Sequence, residues 1–318
     1  YSKTTATMDL ELGPDGWVYL AERDRILRVK DTDNDGIGDV EETIVRLVTE
    51  EDYPHNGLSG MAWGTKHVKV GPRNRLLFTL GENYWKPWEL IGRDGKRLTG
   101  TGEGGVFQVT ADGRLLERVA RGFWNPFGIT VHSDGSMFVC ENDPGARPPC
   151  RLLHVVQGGD YGYQRAYGRA PSHPFVCWNG ELRGTLPMLH ATGEAPCGIA
   201  PLGGGLLVTS WADHRIDFFP LTRKGESFET ERIELVTGSD VFRPTGLVKF
   251  GPDRVASPLS PDGRKPETES GKTPEKHTFY FADWVEGSYE IHGKGRVWKL
   301  EVDQSAASDW LRPHLPGS

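Results

Sequence analysis

The stretch from Asn125 to Tyr163 reads NPFGITVHSDGSMFVCENDPGARPPCRLLHVVQGGDYGY. Two apolar runs of strand length, GITV and SMFVCEN, flank the turn sequence Ser133-Asp134-Gly135, and a third run, CRLLHVV, follows an acidic loop that contains Pro144-Gly145. This order predicts a meander of antiparallel strands with the acidic loop at one end of the sheet. Polar side chains in such an end loop are candidates for a binding site.

The same unit, a Gly- or Asp-containing turn followed by strands, recurs along the chain. Besides Ser133, the recurrences start at Pro14 (PDGWVYLAERDRILRVK), Arg73 (RNRLLFTLGE), Gly204 (GGLLVTSWADHRIDFFPL) and His277 (HTFYFADW, then GRVWKL). One sheet of this kind cannot bury both of its faces, so repetition around a closed ring is the natural solution. The sequence therefore predicts an all-β propeller with five visible units and room for a sixth in residues 165–195. A β-sandwich is the alternative, but it does not explain the recurrence.

The composition limits both the fold and the class of function. The chain has 318 residues, 36% hydrophobic content, 41 glycines and 22 prolines, which indicates a substantial core and many turns. Only residues 39–50 have room for one short helical turn. The net charge of −7, with scattered Lys and Arg, argues against a nucleic-acid partner. No apolar run approaches the roughly 18 to 20 residues of a membrane span.

Segment composition predicts one domain with two polar additions. Residues 1–304 form the predicted propeller domain, and residues 254–276 are a Pro-rich insertion that is either a surface loop or a lid. Residues 305–318 resemble a linker, so we expect the natural chain to continue. The first residues lack a signal-peptide pattern, and we expect the mature part of a secreted, periplasmic or cell-surface bacterial protein.

The cysteines leave two alternatives open. The four cysteines are Cys140, Cys150, Cys177 and Cys197, and they lack CxxC and CxxCH spacing, which disfavours zinc ribbons, thioredoxin-like motifs and covalent haem. One or two disulfides in an oxidising compartment and buried free thiols are both consistent with the sequence.

Residues 31–42, DTDNDGIGDVEE, match the calcium-loop pattern D-x-[DN]-x-[DN]-G-x5-E at every specified position. The candidate ligands are Asp31, Asp33, Asp35, the carbonyl of Ile37, Asp39 and Glu42. Calcium needs several oxygens at short range, and alternate aspartates around a sharp turn supply them. The preceding ILRVK is typical of a strand, so we expect a single structural calcium loop rather than an EF-hand pair. A merely acidic turn is the alternative.

Other polar residues are weaker candidates. His55 carries the side chain best matched to taking a proton near neutral pH, although a loop hydrogen-bonder is the default interpretation. Glu141, Asn142 and Asp143 follow a strand directly and suit either calcium or sugar hydroxyls, with a solvated turn as the alternative. Residues 100–105 satisfy GxGxxG, but a strand follows where a dinucleotide fold needs a helix. GxSxG and HExxH motifs are absent.

The order of several motifs resembles the soluble pyrroloquinoline quinone (PQQ)-dependent glucose/sorbosone dehydrogenases. More closely, the chain resembles the "membrane-bound dehydrogenase" propeller domains of bacterial multidomain secreted proteins. The matching pieces, which cover about residues 10–300, are PDGWVYLAERDRILRVKDTDNDGIGD, PHNGLSG, GFWNPFGITVHSDGSMFVCEND, RLLHVVQGGDYGY, EAPCGIAP, FRPTGLVKFGPD, FADW and GRVWKL. The resemblance implies a six-bladed propeller with PQQ over its central end and Ca²⁺ beneath the quinone.

The resemblance also implies roles for single residues. His55, at the HNG position, takes the proton of the sugar hydroxyl while hydride passes to the quinone. Asn125 faces the cofactor, and Pro144, Gly145 and Tyr161 correspond to the calcium region. The implied substrate is a sugar or polyol, and the electrons pass to an external acceptor.

One departure from the family concerns the PQQ carboxylates. The family has Arg-Asn-Pro where this chain has Trp124, Asn125 and Pro126, so a cation suited to a carboxylate is missing. The arginines that can compensate are Arg121, Arg165, Arg215, Arg243 and Arg296.

Two other classes of function remain. Gluconolactonase-like propellers hold one central calcium with Glu, Asn and Asp side chains, and calcium then activates water or polarises a lactone carbonyl. The candidates for such a cluster here lie near the ends of the predicted inner strands and are Glu22, Asn125, Asp143 and Asp213. A non-catalytic propeller binds glycan or a partner, and Trp85, Trp88, Trp124 and Trp211 are then candidates for stacking on sugar rings.

Overall fold

The computed structural model describes residues 3–4, 6–50, 57–64, 74–83, 86–145, 147–163, 177–250, 276–288 and 290–303. These residues form strands and turns and contain no α-helix. Accordingly, the described part of the chain offers no helix with the length and hydropathy needed to cross a membrane. Five sheets of three or more strands follow one another along these residues, which confirms the all-β prediction.

The first three sheets contain most of the strands. In hydrogen-bonded order, the first sheet contains β1 (Thr7–Leu12), β2 (Val18–Glu22), β3 (Arg25–Lys30), β4 (Val40–Thr49), β7 (Trp88–Gly92) and β8 (Arg97–Gly100). The second contains β14 (Gly159–Asp160), β10 (Glu117–Phe123), β9 (Gly104–Thr110), β6 (Arg75–Leu80) and β5 (Leu58–Trp63). The third contains β11 (Asn125–Val131), β12 (Met137–Asn142), β13 (Arg151–Val155) and β15 (His190–Ala191).

The remaining strands form two further sheets and a separate hairpin. The fourth sheet contains β16 (Pro196–Leu202), β17 (Gly205–Ser210), β18 (Arg215–Pro220) and β21 (Ile233–Thr237). The fifth contains β22 (Pro244–Phe250), β23 (Lys276–Asp283) and β24 (Arg296–Asp303), and the hairpin consists of β19 (Thr222–Lys224) and β20 (Ser227–Glu229).

The sheets stack with their first strands side by side. β1, β5, β11, β16 and β22 pack against one another in chain order, which is the arrangement of a β-propeller. Glycines allow the close approach: a Cβ on Gly60 would lie 2.1 Å from the carbonyl oxygen of Phe127, and one on Gly198 would lie 2.4 Å from that of Thr245. The second strands β6 and β17 are buried on both faces, as the apolar runs RLLFTL and GLLVTS predict.

Apolar side chains fill the space between neighbouring sheets. Tyr19 of the first sheet meets Trp63 of the second edge to face, with ring centroids 5.0 Å apart. Val139 of the third sheet belongs to one buried cluster with Val106 and Phe123 of the second. Each fully buried side chain of this size contributes roughly 1.5 to 3 kcal/mol to the stability of the fold. The inter-sheet contacts are therefore the main source of stability.

Two details differ from the sequence-based expectations. Residues 39–50 contain no helical turn, because Val40–Thr49 form a ten-residue strand. The hairpin β7–β8 pairs with this strand and extends the edge of the first sheet. The described residues 177–195 provide only β15, which pairs with β13 and completes the third sheet instead of starting a sixth.

All four cysteines are free thiols, which decides between the two alternatives for them. Cys140, Cys150 and Cys177 are buried, and burial raises the pKa of Cys140 and Cys150 above the usual range. These thiols therefore stay protonated at neutral pH.

Candidate functional site on the upper face

The polar residues gather at one end of the propeller, which we call the upper face. The first strand of each sheet begins there and the antiparallel second strand ends there. The register shows this directly, since Asn125 pairs with Asn142, Pro196 with Ser210, and Pro244 with Asp283. Residues that precede a first strand or follow a second strand therefore meet on this face.

Ion pairs that each contain a buried carboxylate lie at the upper face. The acid that ends a second strand pairs with the arginine that starts the third strand in three sheets: Glu22 with Arg25, Glu141 with Arg151, and Asp283 with Arg296. Glu141 and Arg151 are completely buried. Their charges are matched by further hydrogen bonds, because Glu141 also accepts the N–H of Trp124 and Arg151 also donates to the carbonyls of Tyr161 and Trp178.

Asp143, Cys150 and Glu194 form an acidic cluster between the third and fourth sheets. One ligand atom from each of the three lies within 4.8 Å of the others. The Sγ of Cys150 lies 3.2 Å from the Oδ1 of Asn142 and 3.4 Å from the Oε2 of Glu194, so its single S–H proton has an acceptor on either side. Burial and the nearby charges of Asp143 and Asp213 raise the pKa of Glu194. A cation placed between these oxygens would relieve that repulsion.

Asp213 continues the acidic cluster toward the fourth sheet. Its Oδ2 accepts the backbone N–H of Glu194 at 3.1 Å and forms an ion pair of 2.8 Å with Arg215. Arg215 is saturated, because Asp217 lies 3.1 Å and Glu234 lies 3.4 Å from its guanidinium. Arg215 therefore has little capacity to bind a further anion.

Arg243 provides the cationic part of the upper face. It lies directly before β22, and its guanidinium stacks on the indole of Trp211 at 4.3 Å from the ring centroid. The buried Nε of Arg243 has no hydrogen-bond partner. The backbone N–H of Trp211 donates to the backbone carbonyl of Ala195, the residue after Glu194. The cationic group therefore adjoins the acidic cluster.

Asn125 and Arg243 occupy corresponding positions, each immediately before the proline that opens a sheet. The prolines are Pro126 and Pro244, whose second-strand partners are Glu141 and Asp283. Asn125 is half-buried, and within the described residues no hydrogen-bond partner holds its side-chain amide. His55 and Arg165 lie outside the described residues.

Other residues expected at the centre are engaged elsewhere. Arg121 lies on the outer strand β10 and pairs with Asp160 at 3.0 Å. The Tyr161 hydroxyl bonds to the backbone of His154 and Val156, and its carbonyl accepts Arg151, so the structure does not bring it together with Pro144 and Gly145 as an oxygen donor. Pro144 and Gly145 lie in a solvent-facing turn beside Asp143.

The tryptophans proposed for stacking are also divided. Trp88 is buried in the core, where its indole N–H donates to the carbonyl of Glu103. Trp124 is buried in an aromatic cluster with Tyr163 and Trp178. Trp211 lies at the upper face, where its indole stacks with the guanidinium of Arg243. Trp85 lies outside the described residues.

The loop of residues 31–42 is a second, separate group of oxygen donors. Asp31, Asp33 and Asp39 bring carboxylate oxygens within 4.8 Å of one another, whereas Asp35 lies outside this group. The Asp31 carboxylate also accepts the N–H groups of residues 34 and 36. Glu42 instead pairs with Arg28 and Arg93, each at 2.6 Å, and so points away from the loop. The carbonyl of Ile37 has no role assigned by these contacts.

Sequence reasoning missed Glu194 and Cys150 as members of the site. Glu194 opens the motif EAPCGI, which corresponds to WNPFGI and FRPTGL at the starts of the third and fifth sheets. Alignment of these three motifs would have placed Glu194 near the upper face. Cys150 carried no such signal, because its neighbours come from residues 142, 143 and 194.

Comparisons with known proteins agree with the fold. Neither the protein-family models nor the curated proteins gave a match. Among solved structures, the chain is similar to a Thermus thermophilus protein described as a provisional oxidoreductase (glucose dehydrogenase), with a TM-score of 0.50, 14% identity, and coverage of 94% of this chain and 97% of that chain. It is also similar to the PQQ-bound aldose sugar dehydrogenase of Streptomyces coelicolor, with a TM-score of 0.47, 14% identity, and coverage of 94% and 96%. At this identity the first similarity shows the fold alone, and with the sheet order it identifies the chain as a β-propeller.

Proposed function

We propose that the chain is a calcium-assisted quinoprotein dehydrogenase that oxidises a sugar or related alcohol outside the cytoplasm and passes the electrons to an external acceptor. The observation that carries the proposal is the juxtaposition on the upper face of an oxygen-rich acidic cluster and a guanidinium with a buried, unpartnered Nε. The name of the Thermus thermophilus neighbour, glucose dehydrogenase, supports the same class of reaction.

The residues present fit PQQ at one carboxylate group. Arg243 has an unused donor, and the stacked indole of Trp211 holds its guanidinium in place. By contrast, Arg121, Arg215 and Arg296 already pair with Asp160, Asp213 and Asp283. Arg243 and Asn125 would therefore bind the cofactor's polar edge, and Arg243 would provide most of the binding energy.

Calcium fits the acidic cluster through carboxylate and amide oxygens. Carboxylate oxygens of Asp143 and Glu194 and the side-chain oxygen of Asn142 all lie near the Sγ of Cys150, which stays protonated, so the oxygens would be the calcium ligands. When bound, PQQ supplies a hydride-accepting carbonyl and calcium supplies a Lewis acid. His55 would take the substrate hydroxyl proton.

A second candidate function is hydrolysis of a lactone. The observation that favours it is the excess of convergent carboxylates, Asp143, Glu194 and Asp213, over free cations on the same face. A calcium ion held by these groups would polarise a carbonyl or activate water without a quinone. Glu22, which the sequence also suggested for this role, is paired with Arg25.

One preparation distinguishes the functions. Apo protein is titrated with Ca²⁺ and PQQ, and dye reduction is measured with a panel of aldoses and polyols. The proposal predicts reduction that requires both additions and falls at least tenfold in Arg243→Gln. Lactone hydrolysis with Ca²⁺ alone would support the second candidate instead. Inactivity in both assays would leave a non-catalytic glycan- or partner-binding propeller and would reject both enzymatic proposals.

The loop of residues 31–42 is proposed as a structural calcium site. It is exposed and self-contained, and its aspartates belong to one turn. Calcium there would fix the connection between β3 and β4 and would not contact substrate.

A further inference from the structure

A cleft of about 300 Å³ opens beside the acidic cluster on the third sheet. It is lined by the segment Arg147-Pro148-Pro149, which leads directly into Cys150, and by Trp178, Asn179, Glu181 and Met188. None of these lining residues was a candidate site residue from the sequence. At this volume the cleft lies at the lower end of small-ligand pockets, so it suits one ring rather than a longer chain.

The charges that line the cleft cancel. Arg147 forms an ion pair of 2.8 Å with Glu181, and the cleft has no other charged lining residue among those that the structure describes. Burial favours protonation of Glu181, but hydrogen bonds from Asn179, Cys177 and Trp178 outweigh it and lower the pKa to about 2. The ion pair therefore persists across the working pH range, and the cleft offers no net charge to an ionic ligand.

The apolar surface that a ligand can reach in the cleft comes from Pro148, which is exposed, and Met188, which is partly exposed. Trp178 is only 2% exposed and supports this surface from within: its indole N–H donates to the carbonyl of Pro149 at 2.8 Å, and the guanidinium of Arg151 lies 3.5 Å from the centroid of its ring. A small apolar surface of this kind suits the C–H groups of a sugar ring, because both surfaces lose water on contact.

The rim of the cleft provides hydrogen-bond donors. The Oδ1 of Asn179 accepts the backbone N–H of Met188 at 2.9 Å, which fixes the amide and leaves its NH₂ group facing outward. Arg147 has donors beyond the one used by Glu181. Neutral ligands with several hydroxyl oxygens satisfy these donors, whereas purely apolar ligands leave them without partners.

We propose that this cleft is the subsite that binds one neutral sugar ring of the substrate. Because Pro149 precedes Cys150, a sugar in the cleft would lie next to the Asp143–Cys150–Glu194 cluster. The choice of a sugar as ligand rests on the proposed function, whereas the size, neutrality and donors of the cleft do not.

The experiment measures sugar binding without catalysis. Apo protein in excess EDTA, without PQQ, is titrated with glucose, galactose and xylose, and with glucuronate as an anionic counterpart, by saturation-transfer NMR. At least one neutral sugar should bind, and glucuronate should bind at least fivefold more weakly. The proposal would be overturned if none of the neutral sugars bound, or if glucuronate bound as tightly as the neutral sugars.

Two cleft variants and one control variant test whether the sugar binds in the cleft. Met188→Trp fills the cleft and should weaken sugar binding at least tenfold, whereas Leu182→Trp adds the same ring to an exposed position of the same segment and should have no effect. Asn179→Asp keeps the acceptor for the Met188 N–H but removes the NH₂ donor. It therefore tests the cleft even if Met188→Trp impairs folding. Unchanged affinity in both cleft variants would reject the site.

The two proposals fail separately. Sugar binding in EDTA without turnover after Ca²⁺ and PQQ are added would leave the cleft intact and reject the dehydrogenase. Turnover with an unchanged KM in Met188→Trp would support the dehydrogenase and reject the cleft as its sugar subsite.

Discussion

Two groups of oxygen donors in this propeller differ in how they are assembled. The loop group of Asp31, Asp33 and Asp39 comes from nine consecutive residues and is mostly exposed, whereas the cluster of Asp143, Cys150 and Glu194 joins residues up to 51 positions apart. Loop N–H groups already satisfy Asp31, and the hydroxyl and N–H of Thr32 lower the pKa of Asp39. In the cluster, burial and neighbouring carboxylates raise the pKa of Glu194.

The comparison separates a site that a motif encodes from one that the fold creates. The hydrogen-bond donors to Asp31 and Asp39 come from the loop itself. The cluster depends on the third and fourth sheets being held side by side, and it carries a repulsion that a bound cation would remove. Four predictions test this contrast, from the largest expected effect to the smallest.

The largest effect is expected from removing the support beneath the cluster. Arg151→Met leaves the completely buried Glu141 without its partner, and we expect a loss of about 3 to 5 kcal/mol in the free energy of unfolding. Urea denaturation measures it. Arg25→Met, at the corresponding but partly exposed pair, should cost less. Equal losses in the two variants would contradict the special role of the buried pair.

The loop should contribute calcium-dependent stability. At a calcium concentration of 100 times Kd, a site that binds only the folded protein adds about 2.7 kcal/mol. Asp31→Asn should abolish this increment in thermal unfolding with and without Ca²⁺. The matched control is Asp35→Asn, which changes a carboxylate outside the three-residue group and should retain most of the increment. If Asp35→Asn lost more of the increment than Asp31→Asn, the three-residue group would not be the calcium site.

The cluster should lose cation affinity when Glu194 is neutralised. Glu194→Gln is expected to weaken Tb³⁺ binding at the upper face at least tenfold, or about 1.4 kcal/mol, while the apo protein keeps or gains stability because repulsion falls. Luminescence titration in the Asp31→Asn background isolates this site. Glu231→Gln, at an exposed position, is the control. Unchanged affinity would remove Glu194 from the ligand set.

The smallest expected effect is a difference in pH dependence. A carboxylate with a raised pKa gains its proton at a higher pH, and a protonated carboxyl does not bind a cation. As pH falls, the cluster with Glu194 should therefore lose Tb³⁺ before the loop with Asp39, whose pKa is lowered. Titrations of Asp31→Asn and Glu194→Gln report the two sites separately. If the two sites lost Tb³⁺ with the same pH midpoint, the expected difference between the pKa values of Glu194 and Asp39 would be contradicted.

Much of the architecture was predictable because propeller strands are local in sequence. The recurring turns and apolar runs located the second and third strands of the sheets, and the buried runs of β6 and β17 matched their central positions. The expected helical turn in residues 39–50 was wrong, because pairing with β3 and β7 overrides the local sequence preference.

The site was only partly predictable. Asn125 was identified from its motif and Arg243 only as one of five candidate arginines, and the structure places Asn125 at the start of β11 and Arg243 directly before β22. Whether each arginine forms an ion pair was not predictable from the sequence. Arg121 and Arg215 pair with Asp160 and Asp213 only because the folded strands bring these side chains together. The roles of His55 and the calcium ligands stay predictions.

The sequence by itself determined an all-β chain of repeated units and a calcium-type loop, because turns, strand alternation and closely spaced aspartates are local properties. Only the tertiary structure decided which polar residues share a site. It buried Glu141 with Arg151, gathered Asp143 and Glu194 around a protonated thiol, and left the Nε of Arg243 unpartnered. These outcomes depend on strand register within a sheet and on distances between sheets, which a linear pattern does not specify.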